Sequence, residues 1–147
     1  MKFTCTKNNF NNGINIALKA VPGKTTMPIL ECVVIEAKDE SIKLTTNDMQ
    51  LGIETKIPAT VQEEGIILVN AKMIADIVRR LPDEDVNFEV DENNNILLFC
   101  GKAKFNIPGI DHEEFPMLPQ IEVEKKIVIS QFTLKEMIRQ TIFSISD

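Results

Sequence analysis

Three times along the chain a short β-favouring run gives way, across a capping residue, to a helix-period pattern of apolar positions. The runs are KFTCT after Met1, GIILVN from Gly65 and KKIVIS around Lys126, and the caps are Thr6, Asn70 and Ser130. The first helix is predicted over residues 8–21, with Phe10, Ile14, Ala17, Leu18 and Val21 forming one apolar stripe and Asn8, Asn12, Asn15 and Lys19 on the opposite face. The second is predicted over 71–81 and is more sharply two-faced. Ile74, Ile77, Val78 and Leu81 share one side, and Lys72, Asp76, Arg79 and Arg80 share the other.

Each helix is followed by three strand-like runs separated by turn-forming residues. After the first they fall at 31–37, 41–46 and 52–57; after the second, at 86–90, 96–100 and 102–107. The unit therefore reads β-α-β-β-β and recurs about every 60 residues, as in a repeat architecture. The expected fold class is α+β, with two such repeats making one domain over residues 1–118. The proline- and acid-rich stretch 108–124 reads as a joint between domains, with the linker proper at 119–125. Residues 126–147 then open a second domain that stops after one strand and one helix, so the chain is expected to be a piece of something longer. Its Phe132, Leu134, Met137, Ile138 and Ile142 should lack a sheet to pack on.

With 44% hydrophobic residues in 147, the chain can bury one ordinary core. Cys5, Cys32 and Cys100 are odd in number, far apart and set in apolar runs. That pattern supports reduced buried thiols and a cytoplasmic setting rather than a disulfide framework or a CxxC metal site. No membrane span or signal peptide is recognisable.

The only histidine is His112, within Asp111-His112-Glu113-Glu114. Four adjacent residues do not converge on one ion, so a solvated segment accounts for them, and a Ser-His-Asp site elsewhere is excluded within these residues. The turn acids Asp83-Glu84-Asp85 and Asp39-Glu40 could bind a hard cation but read more simply as polar punctuation. No phosphate-cradling glycine loop is present. No catalytic residue, metal ligand or cofactor is therefore expected. The net charge of −6 argues against a nucleic-acid partner. Yet the helices hold their basic residues opposite the apolar stripe, and attraction to phosphates needs only a local positive surface. Without Trp or Tyr, base stacking is not expected.

Several short segments occur in a telling order: Met1-Lys2-Phe3-Thr4, Met27-Pro28-Ile29-Leu30, Thr45-Thr46-Asn47-Asp48, the 71–82 helix ending Arg79-Arg80-Leu81-Pro82, Gly101-Lys102-Ala103-Lys104-Phe105, and Glu114-Phe115-Pro116. With the repeat, they closely resemble the N-terminal part of the bacterial DNA polymerase III β subunit, the replication sliding clamp. The chain departs from the family pattern at Asn47 and Gln50, which leaves the turn there open.

The resemblance implies helices on the DNA side and antiparallel sheets outside, in a chain of roughly 350 to 400 residues by repetition of the unit. Two such chains would pair head to tail in a ring around duplex DNA. It implies a non-catalytic processivity factor that tethers a polymerase. The polymerase and clamp loader would bind through domains beyond these residues. By position it implies DNA-facing roles for Lys24 and Lys72, joined by Lys19, Arg79 and Arg80 from the helix pattern. One of the two arginines could instead cap the helix end. Lys102, Lys104, Phe105 and Ile107 match the strand that meets the other subunit. The rival readings are a metal-dependent nuclease or phosphatase using the turn carboxylates, and an unrelated duplicated α+β interaction module.

Overall fold

The computed structural model describes residues 1–119 and 127–145. Nine strands and two helices build the first unit in the order β1 (Lys2–Thr6), α1 (Lys7–Ala17), β2 (Cys32–Lys38), β3 (Ser41–Asn47), β4 (Gly52–Pro58), β5 (Thr60–Glu63), β6 (Gly65–Asn70), α2 (Ala71–Arg80), β7 (Asp85–Val90), β8 (Asn95–Cys100) and β9 (Ala103–Pro108). A third helix, α3 (Gln131–Thr141), follows. All three expected caps act as such: the side chains of Thr6, Asn70 and Ser130 accept hydrogen bonds from the backbone N–H groups of Asn9, Met73 and Thr133.

The strands form two antiparallel sheets that exchange their first members. One sheet runs β5-β1-β7-β8-β9 and the other β4-β3-β2-β6. Thus β1 joins the strands of the second repeat, while β6 joins those of the first. Neither repeat can form its sheet alone. Between the layers lies one core of 24 buried side chains. At its centre Phe3 of β1 stacks on Phe88 of β7 at 4.7 Å, and Phe10 of α1 meets both rings edge-on at 6.1 and 6.2 Å. Gly13 lets α1 lie close over β3 and β4, because a Cβ there would stand 3.0 Å from methyl groups of both Leu44 and Ile57.

The first helix is shorter than the periodicity suggests. It ends as α-helix at Ala17, tightens to a 3-10 turn over Leu18–Ala20, and leaves Leu18 and Val21 only partly buried at the core margin. Strand β5 has no expected counterpart. Its sequence TVQE is too polar to stand out, and only pairing with β1 makes it a strand. Lys102, expected to open the last strand, sits instead in the Gly101-Lys102 turn, where Gly101 has φ +56°.

Residues 109–118, the part of the 108–124 stretch assigned to the first domain, are strapped across the outer face of the β4-β3-β2-β6 sheet. Ile110 bridges Leu68 through two backbone hydrogen bonds, and Phe115 is buried on Cys32, Val34 and Leu68. Gly52 leaves room for Leu118, whose methyl would lie 2.0 Å from an added Cβ. The divergent turn is well ordered by its own polar groups. Asn47 Oδ1 accepts from Met49, Asp48 Oδ1 accepts from Gln50 and Leu51, and Asn47 Nδ2 donates to the Pro116 carbonyl at 2.8 Å.

In the last segment, Ile127, Val128 and Ile129 form no strand and are exposed, since no partner strand is present among the described residues. The remainder of KKIVIS and of the 119–125 linker, beyond Pro119, lies outside the described residues. Along α3 and the turn after it, Phe132, Leu134, Met137, Ile138 and Ile142 are 45–75% exposed, the amphipathic stripe lacking any described surface to cover it.

Candidate nucleic-acid interface

Burial of the apolar stripes decides which way α1 and α2 present their polar residues. Phe10, Gly13, Ile14 and Ala17 face inward from α1, as do Ala71, Ile74, Ala75 and Val78 from α2. The two helices pack side by side. What remains outward is Asn8, Asn12, Asn15 and Ile16 on α1, Lys19 on the 3-10 turn that follows it, and Lys72, Met73, Asp76, Arg79 and Arg80 on α2, with Lys24 exposed in the turn beyond.

The charge partition is lopsided. Residues 7–24 and 71–80 hold six of the chain's 16 cations (Lys7, Lys19, Lys24, Lys72, Arg79 and Arg80) and one of its 22 acids, Asp76. Everything else holds ten cations against 21 acids. A chain of net −6 therefore carries a helical layer of +5 on a remainder of −11.

Ion pairing is sparse in both layers: on the sheets Lys2 and Lys43 are paired, whereas Lys38, Lys56 and Lys104 form no ion pair among the described residues. On the sheets, the Lys43 ammonium lies 2.7 Å from Glu36 and 3.7 Å from Glu54, and Lys2 lies 2.6 Å from Glu89. Hydrogen bonding to Glu36 and Glu89 raises both lysines above the ordinary value. On α1 and α2, among the described residues, only Arg79 is paired, through its Nη2 to Asp76 at 3.2 Å. Lys19, Lys24, Lys72 and Arg80 form no ion pair among the described residues. Among the described residues neither arginine side chain hydrogen-bonds the end of α2; Arg79 turns back to Asp76, and the Leu81 amide closes on the Val78 carbonyl. The geometry offers a layer of exposed cations and carboxamides, groups able to meet phosphate oxygens.

The second set of sequence-derived residues lies on β9, an edge strand paired only with β8. Alternation holds: Lys104 and Asn106 are exposed, Phe105 is partly buried and Ile107 is 1% exposed. Ile107 is a core residue of its own domain, and Phe105 packs on that core's margin. The groups left free for another chain are the outer backbone edge, Lys104, Asn106 and the exposed part of Phe105. The structure does not bring Lys102 into this row.

Among the described residues no three His, Cys, Asp or Glu side chains converge as metal ligands. His112 is half-exposed, its nearest acid being Asp111 at 3.4 Å. A groove of about 1020 Å³ between β3, β4 and the strap is lined by Lys43, Asn47, Glu54, Pro116, Met117 and Leu118 among others, without a nucleophile and base. Burial raises the Cys5 thiol to about 12, and Cys32 and Cys100 shift the same way for the same reason, so none is an activated nucleophile. No described helix is long and apolar enough to cross a membrane.

Sequence reasoning missed the strap residues Ile110, Phe115 and Leu118, whose apolar character sits among prolines and acids without periodicity. Comparison with known proteins agrees with the fold. Residues 1–119 match the family model described as DNA polymerase III beta subunit, N-terminal domain. The beta sliding clamp of Bacillus subtilis is 38% identical over 99% of this chain and 41% of its own length. Its crystal structure superposes with a TM-score of 0.94, covering 99% of this chain and 40% of that one. A chain from Eubacterium rectale ATCC 33656 described as a DNA polymerase III beta subunit is 54% identical, with a TM-score of 0.94 over all of this chain and 40% of its own. The chain thus spans about two fifths of the length of the relatives it matches. On the family match, the identity and the shared two-sheet fold, the chain belongs to the DNA polymerase III β subunit family.

Proposed function

We propose that this chain forms part of a sliding clamp, a non-catalytic processivity factor that encircles duplex DNA and tethers a replicative polymerase. The observation that carries the reading is the +5 helical layer on a −11 remainder. With helices inward and sheets outward, an acidic protein presents a basic lumen to DNA while its outside stays acidic. Contact with phosphates alone would hold the duplex without reading its sequence and let it slide. Lys19, Lys24, Lys72 and Arg80 supply that contact, with Arg79 partly neutralised by Asp76. Residues 1–118 are the first domain in this reading, and those from 126 begin the second. The bacterial cytoplasm is its compartment.

Ring closure is assigned to β9. Its free edge would continue the sheet into the third domain of a second, head-to-tail subunit, with Lys104 meeting acids there. Polymerase and clamp loader would bind domains beyond these residues. The test is charge reversal in the intact clamp. Lys24→Glu with Lys72→Glu should weaken loading or retention on DNA of any sequence and flatten its salt dependence. Unchanged retention would remove the helical layer from the interface. A divalent-metal assay showing turnover of DNA or phosphate esters would favour the enzyme reading instead.

A further inference from the structure

The asparagines of α1 are left unused by the charge argument. Five of its 11 residues are Asn, a poor helix former because its carboxamide competes for nearby backbone groups. Three of them, Asn8, Asn12 and Asn15, are exposed and follow each other at spacings of four and three, with Lys19 next along the same ridge. None of these three side chains makes a hydrogen bond within the protein among the described residues. Four other asparagines spend theirs locally: Asn47 holds the strap, Asn70 caps α2, Asn87 accepts from Thr4 and Asn95 donates to Asp91. The side chains of Asn9, Asn11, Asn93, Asn94 and Asn106 also make none among the described residues, but they lie off this ridge. The ridge lies within the layer formed by residues 7–24 and 71–80, where six cations stand against one acid, so it is continuous with the surface that attracts phosphate.

We propose that Asn8, Asn12 and Asn15 form a neutral phosphate track, their –NH2 groups donating hydrogen bonds to the backbone oxygens of duplex DNA lying along the helical layer. The proposal rests on the DNA-facing reading above and deepens it. A carboxamide replaces a water on a phosphate oxygen without releasing a counterion, so its contribution does not follow salt as that of a lysine does. Such a track keeps contact with the duplex while adding no charge that would grip it.

The test uses this chain, a short blunt duplex and NMR, in which the side-chain NH2 signals of Asn are resolved from backbone amides. On titration, the NH2 signals of Asn8, Asn12 and Asn15 should shift together with the backbone amides of Lys19 and Lys72, while those of Asn93 and Asn94 stay. The N8A/N12A/N15A variant should bind more weakly by a factor of roughly 2 to 10 for each hydrogen bond made, with an unchanged salt slope. Alanine is the better helix former, so the variant should melt no lower than its parent, which separates lost contact from lost fold. Shifts at Lys19 and Lys72 without the carboxamides, or parental affinity in the variant, overturn the track and leave the DNA-facing reading standing. A flatter salt slope in the variant overturns the neutral mechanism. No shift in either set overturns both.

Discussion

Phe10→Ala should cost this chain about 4 kcal/mol, within the roughly 3–5 kcal/mol range for truncating a buried Phe. Phe10 is fully buried and is the only aromatic side chain that α1 contributes to the core. Its ring stands edge-on to Phe3 at 86° and to Phe88 at 90°. Beyond lost area, each such contact contributes about 0.5–1.5 kcal/mol, and the cavity would open against two strands that cannot close over it. Because Phe3 and Phe88 sit directly opposite each other in the β1–β7 register, the void is walled by a paired ladder.

Against a total stability of about 5–15 kcal/mol, the loss is large. Urea unfolding followed by far-UV circular dichroism should show the midpoint falling by about 2 M with the slope unchanged. A cycle with Phe88→Ala should show coupling of about 0.5–1.5 kcal/mol. Phe143→Ala, at a residue 84% exposed, is the control and should change stability by no more than about 0.5 kcal/mol. A Phe10→Ala loss below about 1 kcal/mol, or one matched by the control, would mean that the ring cluster does not anchor α1.

Three further outcomes are expected. Hydrogen bonds from the Leu51 and Gln50 amides hold the Asp48 carboxyl below its ordinary value of 3.8, and Asn95 and Asn93 do the same for Asp91. With folded values depressed, their contribution is present above the ordinary value and is lost as pH falls through the folded one. Melting temperatures should therefore drop between about pH 5 and pH 2, less steeply in an Asp48→Asn, Asp91→Asn double variant. The three thiols should resist a thiol reagent at neutral pH in the native protein and all react in denaturant; fast native labelling of Cys5 would contradict its burial. In the intact clamp, Lys104→Glu should shift dimer toward monomer in sedimentation with the melting temperature kept. Ile107→Asp should instead unfold the first domain, because its carboxylate would enter the core; a folded Ile107→Asp variant would put that side chain outside.

Much of the helical layer was legible because its signals are local. Thr6, Asn70 and Ser130 cap helices through bonds to residues three positions on. Most of the inward stripe of α2 follows from 3.6-residue periodicity: Ile74 and Val78 are buried as read, Ile77 only partly, and Ala71 and Ala75 join them. The outward position of Lys72, Arg79 and Arg80 comes with it. On β9, two-residue alternation correctly separated Lys104 and Asn106 from Phe105 and Ile107.

What alternation does not reveal is what the inner face touches. Ile107 reads equally well as a core residue or as an interface residue, and only the sheet above it made it core. The same limit hid β5, which is a strand because β1 offers it an edge, and the strap, whose Phe115 is buried because Cys32, Val34 and Leu68 happen to lie beneath it. Hydrophobic period is a property of neighbours in the chain, so it determined the helices, their faces and the count of repeats. Pairing is a property of neighbours in space. Only the tertiary structure decided that β1 and β6 change places, locking two repeats into one core and setting α1 beside α2 as a single basic layer.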